Sequence, residues 1–192
     1  MKSAGIRVLD DLKRIAVIGT SCSGKSTFSR RIADVLRQSH IELDALHWGP
    51  DWTPRPTEKF KSDVMQAIVE QSWVVDGNYS TVRDTVLQRA TTLIWLNYGF
   101  VTVFRRALLR TIRRTLCAEE LFSGNRETFV KSFFSKESIL WWVITTFRRR
   151  RKEYQQIRES AQYPQLAWLE FRHPAEAEQF LAGLLPDSGD IS

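Results

Sequence analysis

Eight consecutive residues, Gly19-Thr20-Ser21-Cys22-Ser23-Gly24-Lys25-Ser26, carry the densest chemistry in the chain. They fit the spacing G-x-x-x-x-G-K-[ST], in which two glycines let the backbone curl until successive N–H groups point at phosphate oxygens. Lys25 then reaches the β- and γ-phosphates, and the Ser26 hydroxyl is a ligand for Mg2+. The expected contacts to ATP, or to another nucleoside triphosphate, are Gly19, Ser21, Cys22, Ser23, Gly24, Lys25, Ser26 and Thr27. An ordinary glycine-rich turn between a strand and a helix is the bland alternative.

Chemistry on a phosphate also needs a carboxylate near the cation. Trp73-Val74-Val75-Asp76-Gly77 is an apolar strand ending in Asp, which sets Asp76 at the edge of a sheet where ligands bind in α/β proteins, as the Mg2+ partner. Asp44 is read as ending the preceding strand, in Leu43-Asp44-Ala45-Leu46-His47-Trp48, and as facing the same crevice. There it would orient or deprotonate an acceptor hydroxyl, with His47 as an alternate base. Turn or helix-cap duty competes for both aspartates, and a structural role for His47. Arg106, Arg110 and Arg113 recur at i, i+4 and i+7, so they share one helical face, which either closes on phosphates or is simply solvated.

These residues need elements to hold them. Residues 15–18 read as a buried strand, and Phe28, Ile32, Val35 and Leu36 give helical spacing to about residue 38. A short strand at 41–43 follows, then a proline-bearing loop and a helix capped by Thr57, with Phe60, Val64 and Ile68 on one face. Strands at 73–75, 92–96 and 166–171 alternate with helices at about 80–88 and 174–185. Five short strands separated by helices imply an α/β fold, a parallel sheet with helices on both faces. About seventy residues between the fourth and fifth strands exceed what one crossover needs, so they are expected to add a helical element over the sheet. In its first helix, Phe100, Val103, Phe104, Ala107 and Leu108 are the expected buried stripe.

The 192 residues, 43% hydrophobic and 26% charged, suffice for one domain over 1–186 with a helical lid insertion at about 115–160 and a disordered tail at 187–192. The N-terminus lacks the apolar core of a signal peptide, and no apolar run nears the ~20 residues that span a bilayer, so the cytoplasm is the expected compartment. Two cysteines imply no disulfide framework. The net charge of +6 gathers at 105–114 and 148–152, which points to anionic ligands without choosing among nucleotide phosphates, nucleic acid and lipid head groups.

In their order, the phosphate loop, Leu43-Asp44-Ala45-Leu46-His47-Trp48, Trp73-Val74-Val75-Asp76-Gly77-Asn78-Tyr79-Ser80, Ile94-Trp95-Leu96 and the Arg-rich helix resemble the adenylate-kinase-like P-loop proteins often labelled DNA topology modulation proteins. The resemblance covers roughly residues 13–180. It implies a P-loop NTPase three-layer sandwich of the nucleoside-monophosphate-kinase type, strand order 2-3-1-4-5, with a mobile lid carrying arginines. Asp76-Gly77 is similar to the Asp-Gly of adenylate kinase, and Arg106 and Arg110 to its paired lid-hinge arginines. Ser80 stands where adenylate kinase carries an Arg that holds the acceptor nucleotide, and Asn97 where relatives frequently carry Asp. The lid segment has no Cys pairs for zinc; its landmark is Gly124-Asn125-Arg126-Glu127, where Arg126 either reaches a phosphate or pairs along a helix.

The resulting expectation is an ATP-dependent kinase that moves a γ-phosphoryl group to a small acceptor such as a nucleoside or nucleotide. His47, Trp48, Trp52 and Arg55 are candidates for the acceptor pocket. The competing expectation is an NTPase or regulatory protein that associates with DNA or a membrane through the basic aromatic segment 133–152. Packing of Ile139, Trp142, Val143 and Phe147 against the sheet domain is the structural reading of that segment.

Overall fold

Three short strands buried on both faces, flanked by two more exposed edge strands, build this molecule around its sheet. The computed structural model describes residues 12–117 and 139–185. Its strands are β1 (Arg14–Gly19), β2 (Ser39–Glu42), β3 (Trp73–Asp76), β4 (Thr92–Leu96) and β5 (Ala167–Phe171). All adjacent pairs are parallel, in the order β2-β3-β1-β4-β5. Parallel neighbours cannot be joined by tight hairpins, so each connection carries helix. These helices are α1 (Lys25–Leu36), α2 (Leu43–His47), α3 (Thr57–Ala67), α4 (Ser80–Arg89), α5 (Phe100–Cys117), α6 (Ile139–Glu159) and α7 (Pro174–Leu184).

Period-two alternation splits the strand side chains between two cores. Ile15, Val17, Val74, Ile94 and Leu96 pack with Phe28 and Ile32 of α1, Val103 and Ala107 of α5, and Leu181 of α7. Ala16, Ile18, Trp73, Val75, Leu93 and Trp95 pack on the opposite face with Phe60 and Val64 of α3 and with Val82 and Val86 of α4. Two apolar faces on one sheet require two helical layers, and full burial of each large aliphatic or aromatic side chain stabilises the fold by about 1.5–3 kcal/mol. The three-layer α/β sandwich follows from that requirement.

Helix α6 joins both cores. Val143 and Phe147 belong to the α1 side, whereas Tyr154, seven residues or about 10 Å further along the axis, belongs to the other. Val143 and Phe147 thus pack as expected, while the side chains of Ile139 and Trp142 lie outside the described ones. Arg126, the expected tail at 187–192 and much of the expected lid lie outside the described residues.

Several boundaries differ from the sequence reading. β2 runs over Ser39–Glu42 and the chain turns into α2 at Leu43, so Asp44 lies in the first turn of a short helix and not at a strand end. Helix α1 stops at Leu36 because Arg37 takes a left-handed conformation, with its N–H and that of Gln38 returning to the carbonyls of Asp34 and Ala33. Pro56, not Thr57, holds the cap position of α3, and Thr57 begins the helix. On α5 the buried line is Val103, Ala107 and Thr111; Phe104 and Leu108 are half-buried and Phe100 is exposed.

Candidate functional site

The carboxyl ends of β1 and β3 place the expected phosphate loop and the expected cation ligand side by side. Val17 pairs with Asp76 across the two strands, and the loop leaves β1 two residues later. Cys22 and Gly24 take left-handed conformations, φ 61° and 90°, which coil the loop into the first turn of α1. The first N–H groups of a helix have no partner within it, and with the helix dipole they form an anion cradle. Ser23 closes the turn by donating its N–H to the Thr20 carbonyl at 3.2 Å.

Ser26 and Asp76 meet inside this cradle. The Ser26 hydroxyl donates to Asp76 Oδ1 at 3.0 Å, and Asp76 is buried at 3% exposure. A hydroxyl and a carboxylate beside a phosphate cradle are the oxygen donors that Mg2+ takes, so the residues present fit that ion. Lys25 Nζ donates to the Thr20 carbonyl at 3.1 Å. Burial pulls its ammonium below the ordinary lysine value, while Asp76 and then Asp44 push the other way. Phosphate oxygens would act in the same direction as those carboxylates.

The arginine face closes this site from the side. A cavity of about 710 Å3 is lined by residues 21–28 together with Asp44, Asp76, Arg106, Arg110 and Arg113. Arg106 is the most anchored of the three: it donates to the Ser23 carbonyl and its guanidinium lies 5.1 Å from the Tyr98 ring centre. Arg110 Nη1 is 4.0 Å from Cys22 Sγ, and both Arg110 and Arg113 are exposed. Tyr98 and Pro174 line the same cavity beyond Arg106.

Asp44 also lines the cavity, with Oδ1 held at 2.6 Å by the Tyr79 hydroxyl. Burial and then the nearby Asp44 charge push the Tyr79 phenol far above its ordinary value, so it stays a donor. His47 does not line that cavity; it packs among Trp48, Phe60 and Tyr79, with ring centres 4.5–5.0 Å away. Burial lowers the His47 imidazole below its ordinary value, the Asp44 charge only partly offsetting it, and Nδ1 is buried without a partner. Trp48 and Trp52 form an edge-to-face pair in a loop closed by the Trp48–Pro54 bridge. Arg55 pairs at 3.4 Å with Asp63, itself held by Lys59 at 2.7 Å. The Arg55 backbone N–H also donates to the His47 carbonyl and that of Trp48 to the Asp44 carbonyl, so His47, Trp48, Trp52 and Arg55 are one group beside Asp44, separate from the other residues that line the cavity.

Three contributors escaped the sequence reading as site residues. Asn78 donates to the Gly19 carbonyl at 2.6 Å and so ties the loop after β3 to the root of the phosphate loop. His40 Nε2 lies 2.7 Å from Asp76 Oδ2, and Glu42 lies in register with Asp76. Burial raises the Glu42 carboxyl above its ordinary value and Asp76 raises it further, while His40 and Arg30 act against them. The i, i+2 spacing of His40 and Glu42 was the available signal, since alternate strand residues share a face. Beginning that strand at 41 and not at 39 left His40 outside it.

No protein-family model matches the chain, and no curated protein matches it. Among solved structures it is similar to a shikimate kinase from Bacteroides thetaiotaomicron, with TM-score 0.53 and 14% identity over 90% of this chain and 96% of that one. It is also similar to a gluconokinase from Sinorhizobium meliloti 1021, with TM-score 0.49 and 18% identity over 90% and 91% of the two chains. The likeness to the shikimate kinase structure shows the fold, a three-layer α/β sandwich around a five-stranded parallel sheet in the order 2-3-1-4-5.

Proposed function

We propose that this chain is an ATP-dependent kinase that transfers the γ-phosphoryl group to a hydroxyl of a small acceptor. The observation that carries the reading is the Ser26–Asp76 hydrogen bond, set within a glycine-bearing anion cradle that shares one cavity with Lys25, Asp44 and three arginines. A bound nucleoside triphosphate brings about four negative charges to that cavity, which a helix N-terminus, Lys25 and Arg106 are placed to meet.

In this reading the loop N–H groups and Lys25 hold the β- and γ-phosphates, and Ser26 and Asp76 hold Mg2+. When bound, that ion would supply neutralisation of the negative charge on the phosphates. Asp44 accepts a hydrogen bond from the acceptor hydroxyl and aims its oxygen at the γ-phosphorus. As that oxygen bonds to phosphorus, the bond from phosphorus to the bridging oxygen breaks, ADP departs, and the hydroxyl proton passes to Asp44. Tyr79 keeps the Asp44 carboxylate oriented throughout. Arg110 and Arg113, exposed on a helix beside the loop, meet charge on the transferring group as the site closes and water is excluded.

In this proposal the acceptor lies on the side of Asp44 that faces the group of Trp48, Trp52 and Arg55, where the indoles offer flat apolar faces and Arg55, paired with Asp63, a partly neutralised cation. A single domain over 1–186, a lid at about 115–160, a cytoplasmic location and kinship with the DNA topology modulation group, on its Asp44–Trp48 and Asp76–Ser80 motifs, belong to the same proposal. The basic segment supports an intramolecular role over nucleic-acid or membrane binding: Arg150 pairs with Glu153 at 3.1 Å, and Arg151 lies 5.5 Å from the centre of the buried Phe147 ring.

ADP formation measured across a panel of hydroxy acids, sugar acids, nucleosides and nucleoside monophosphates tests the proposal. One acceptor is expected to raise the rate at least ~100-fold over the acceptor-free reaction, and Lys25→Ala to abolish the increase. A rate independent of every acceptor overturns the kinase reading in favour of an NTPase.

A further inference from the structure

We propose that His40, Glu42 and Asp76 form a divalent-cation site that binds a transition metal such as Mn2+ without nucleotide, in preference to Mg2+. Its ligands come from adjacent parallel strands. His40 and Glu42 are two residues apart on β2, and their register partners on β3 are Val74 and Asp76. All four side chains therefore share one sheet face, the one where Val74 packs in the core with α1. A ring nitrogen of His40, one oxygen of Glu42 and one of Asp76 all lie within 4.8 Å of one another, the one three-ligand cluster of this kind among the described residues.

Metal–ligand bonds of about 2.0–2.2 Å hold donor atoms about 3–4 Å apart, so side-chain adjustments of under an ångström bring these three onto one ion. His40 and Asp76 are already neighbours at 2.7 Å. Their side chains are 15% and 4% exposed and that of Glu42 is 19%, so the cluster is shielded yet reachable. Arg30 touches Glu42 at only 3.7 Å and is 64% exposed, free to swing away.

Asp76 uses its two oxygens in different directions. Oδ1 accepts from Ser26, on the phosphate side, and Oδ2 faces His40. The proposed position thus differs from the one assigned to nucleotide-bound Mg2+, and a bridging carboxylate of this type is how paired cations are commonly held. The donor set decides the metal. Mg2+ keeps to oxygen ligands and retains its water, whereas an imidazole with two carboxylates suits Mn2+, Co2+ or Zn2+.

Electron paramagnetic resonance of the full chain titrated with Mn2+, without nucleotide, tests this. Binding at least ~10-fold tighter than that of competing Mg2+ is expected, with electron spin echo modulation from a directly bound imidazole nitrogen that changes on 15N-histidine labelling. His40→Gln is expected to remove the nitrogen signal and to weaken Mn2+ binding at least ~10-fold, and Glu42→Gln to weaken it similarly while keeping the signal. The wild-type nitrogen signal needs no variant, so a misfolded substitution does not blunt the test. Absence of Mn2+ binding, or Mn2+ bound without histidine nitrogen, overturns the proposal and leaves His40 as a hydrogen-bond partner of Asp76. Phosphoryl transfer without this signal defeats the site alone; the signal without transfer defeats the kinase reading alone.

Discussion

Gly19 stands where β1 hands the chain to the phosphate loop, and the space around its Cα is closed. A Cβ there would lie 2.7 Å from Ser23 Oγ and 2.8 Å from the Leu96 carbonyl oxygen, both inside normal contact distance. Backbone of a central strand cannot yield cheaply, so Gly19→Ala is expected to cost about 1–3 kcal/mol in urea unfolding and to weaken ATP binding at least ~10-fold. A variant with wild-type stability and affinity would remove the close-packed root from the account of the loop. The glycine was legible in the sequence because the motif spacing demands it. Asn78, which binds the carbonyl of that same Gly19, was not, because nothing in local periodicity tells that the loop after the third strand turns back onto the first.

At the scale of elements, α5 turns an even arginine stripe into unequal parts. The sequence periodicity placed Arg106, Arg110 and Arg113 on one face, and all three do line the cavity. Packing then separated them: Arg106 is half-buried against Tyr98 and bonded to the Ser23 carbonyl, while Arg110 and Arg113 reach outward. Removing a charge-assisted hydrogen bond and a ring contact amounts to about 2 kcal/mol. Arg106→Ala is therefore expected to lower stability by about that amount and to raise the KM for ATP, whereas Arg113→Ala leaves stability unchanged and lowers kcat alone. Urea unfolding with steady-state kinetics ranks the two, and the reverse ranking refutes the division of labour. The buried stripe was misplaced toward Phe100 and Leu108 because both faces of α5 carry apolar residues, and only the approach of α6 decides which are covered.

Over the whole molecule, two glutamates tie distant segments together. Glu170 at the end of β5 receives hydrogen bonds from Asn97 after β4 at 2.7 Å, Arg158 on α6 at 2.9 Å and Arg172 at 3.0 Å. Glu153 on α6 receives them from Arg83 on α4 at 2.6 Å and Arg150 at 3.1 Å. Burial pushes both carboxyls up, but these bonds outweigh it and hold both below the ordinary 4.5. A folded carboxylate held low is protonated less readily than the unfolded chain, so its stabilisation is complete above that ordinary value and fades as pH falls through the folded values. The contribution of these two glutamates to thermal stability is expected to stay level from about pH 7 to 5.5 and to drop steeply below about pH 4.5. The pair Glu153→Gln with Glu170→Gln, partly screened by solvent, is expected to cost about 2 kcal/mol at neutral pH and to flatten that drop; an unchanged acid slope would falsify the assignment. The sequence by itself determined the glycine-bearing loop between the first strand and helix, the alternating α/β order and the strand-end position of Asp76, because motif spacing and apolar periodicity are local quantities. Only the tertiary structure decided that His40 and Glu42 stand beside Asp76, that Tyr79 holds Asp44 and that Asn97 meets Glu170. Each pairing joins residues on different elements, and parallel strand register, which places them, is set by how whole helices pack across the sheet.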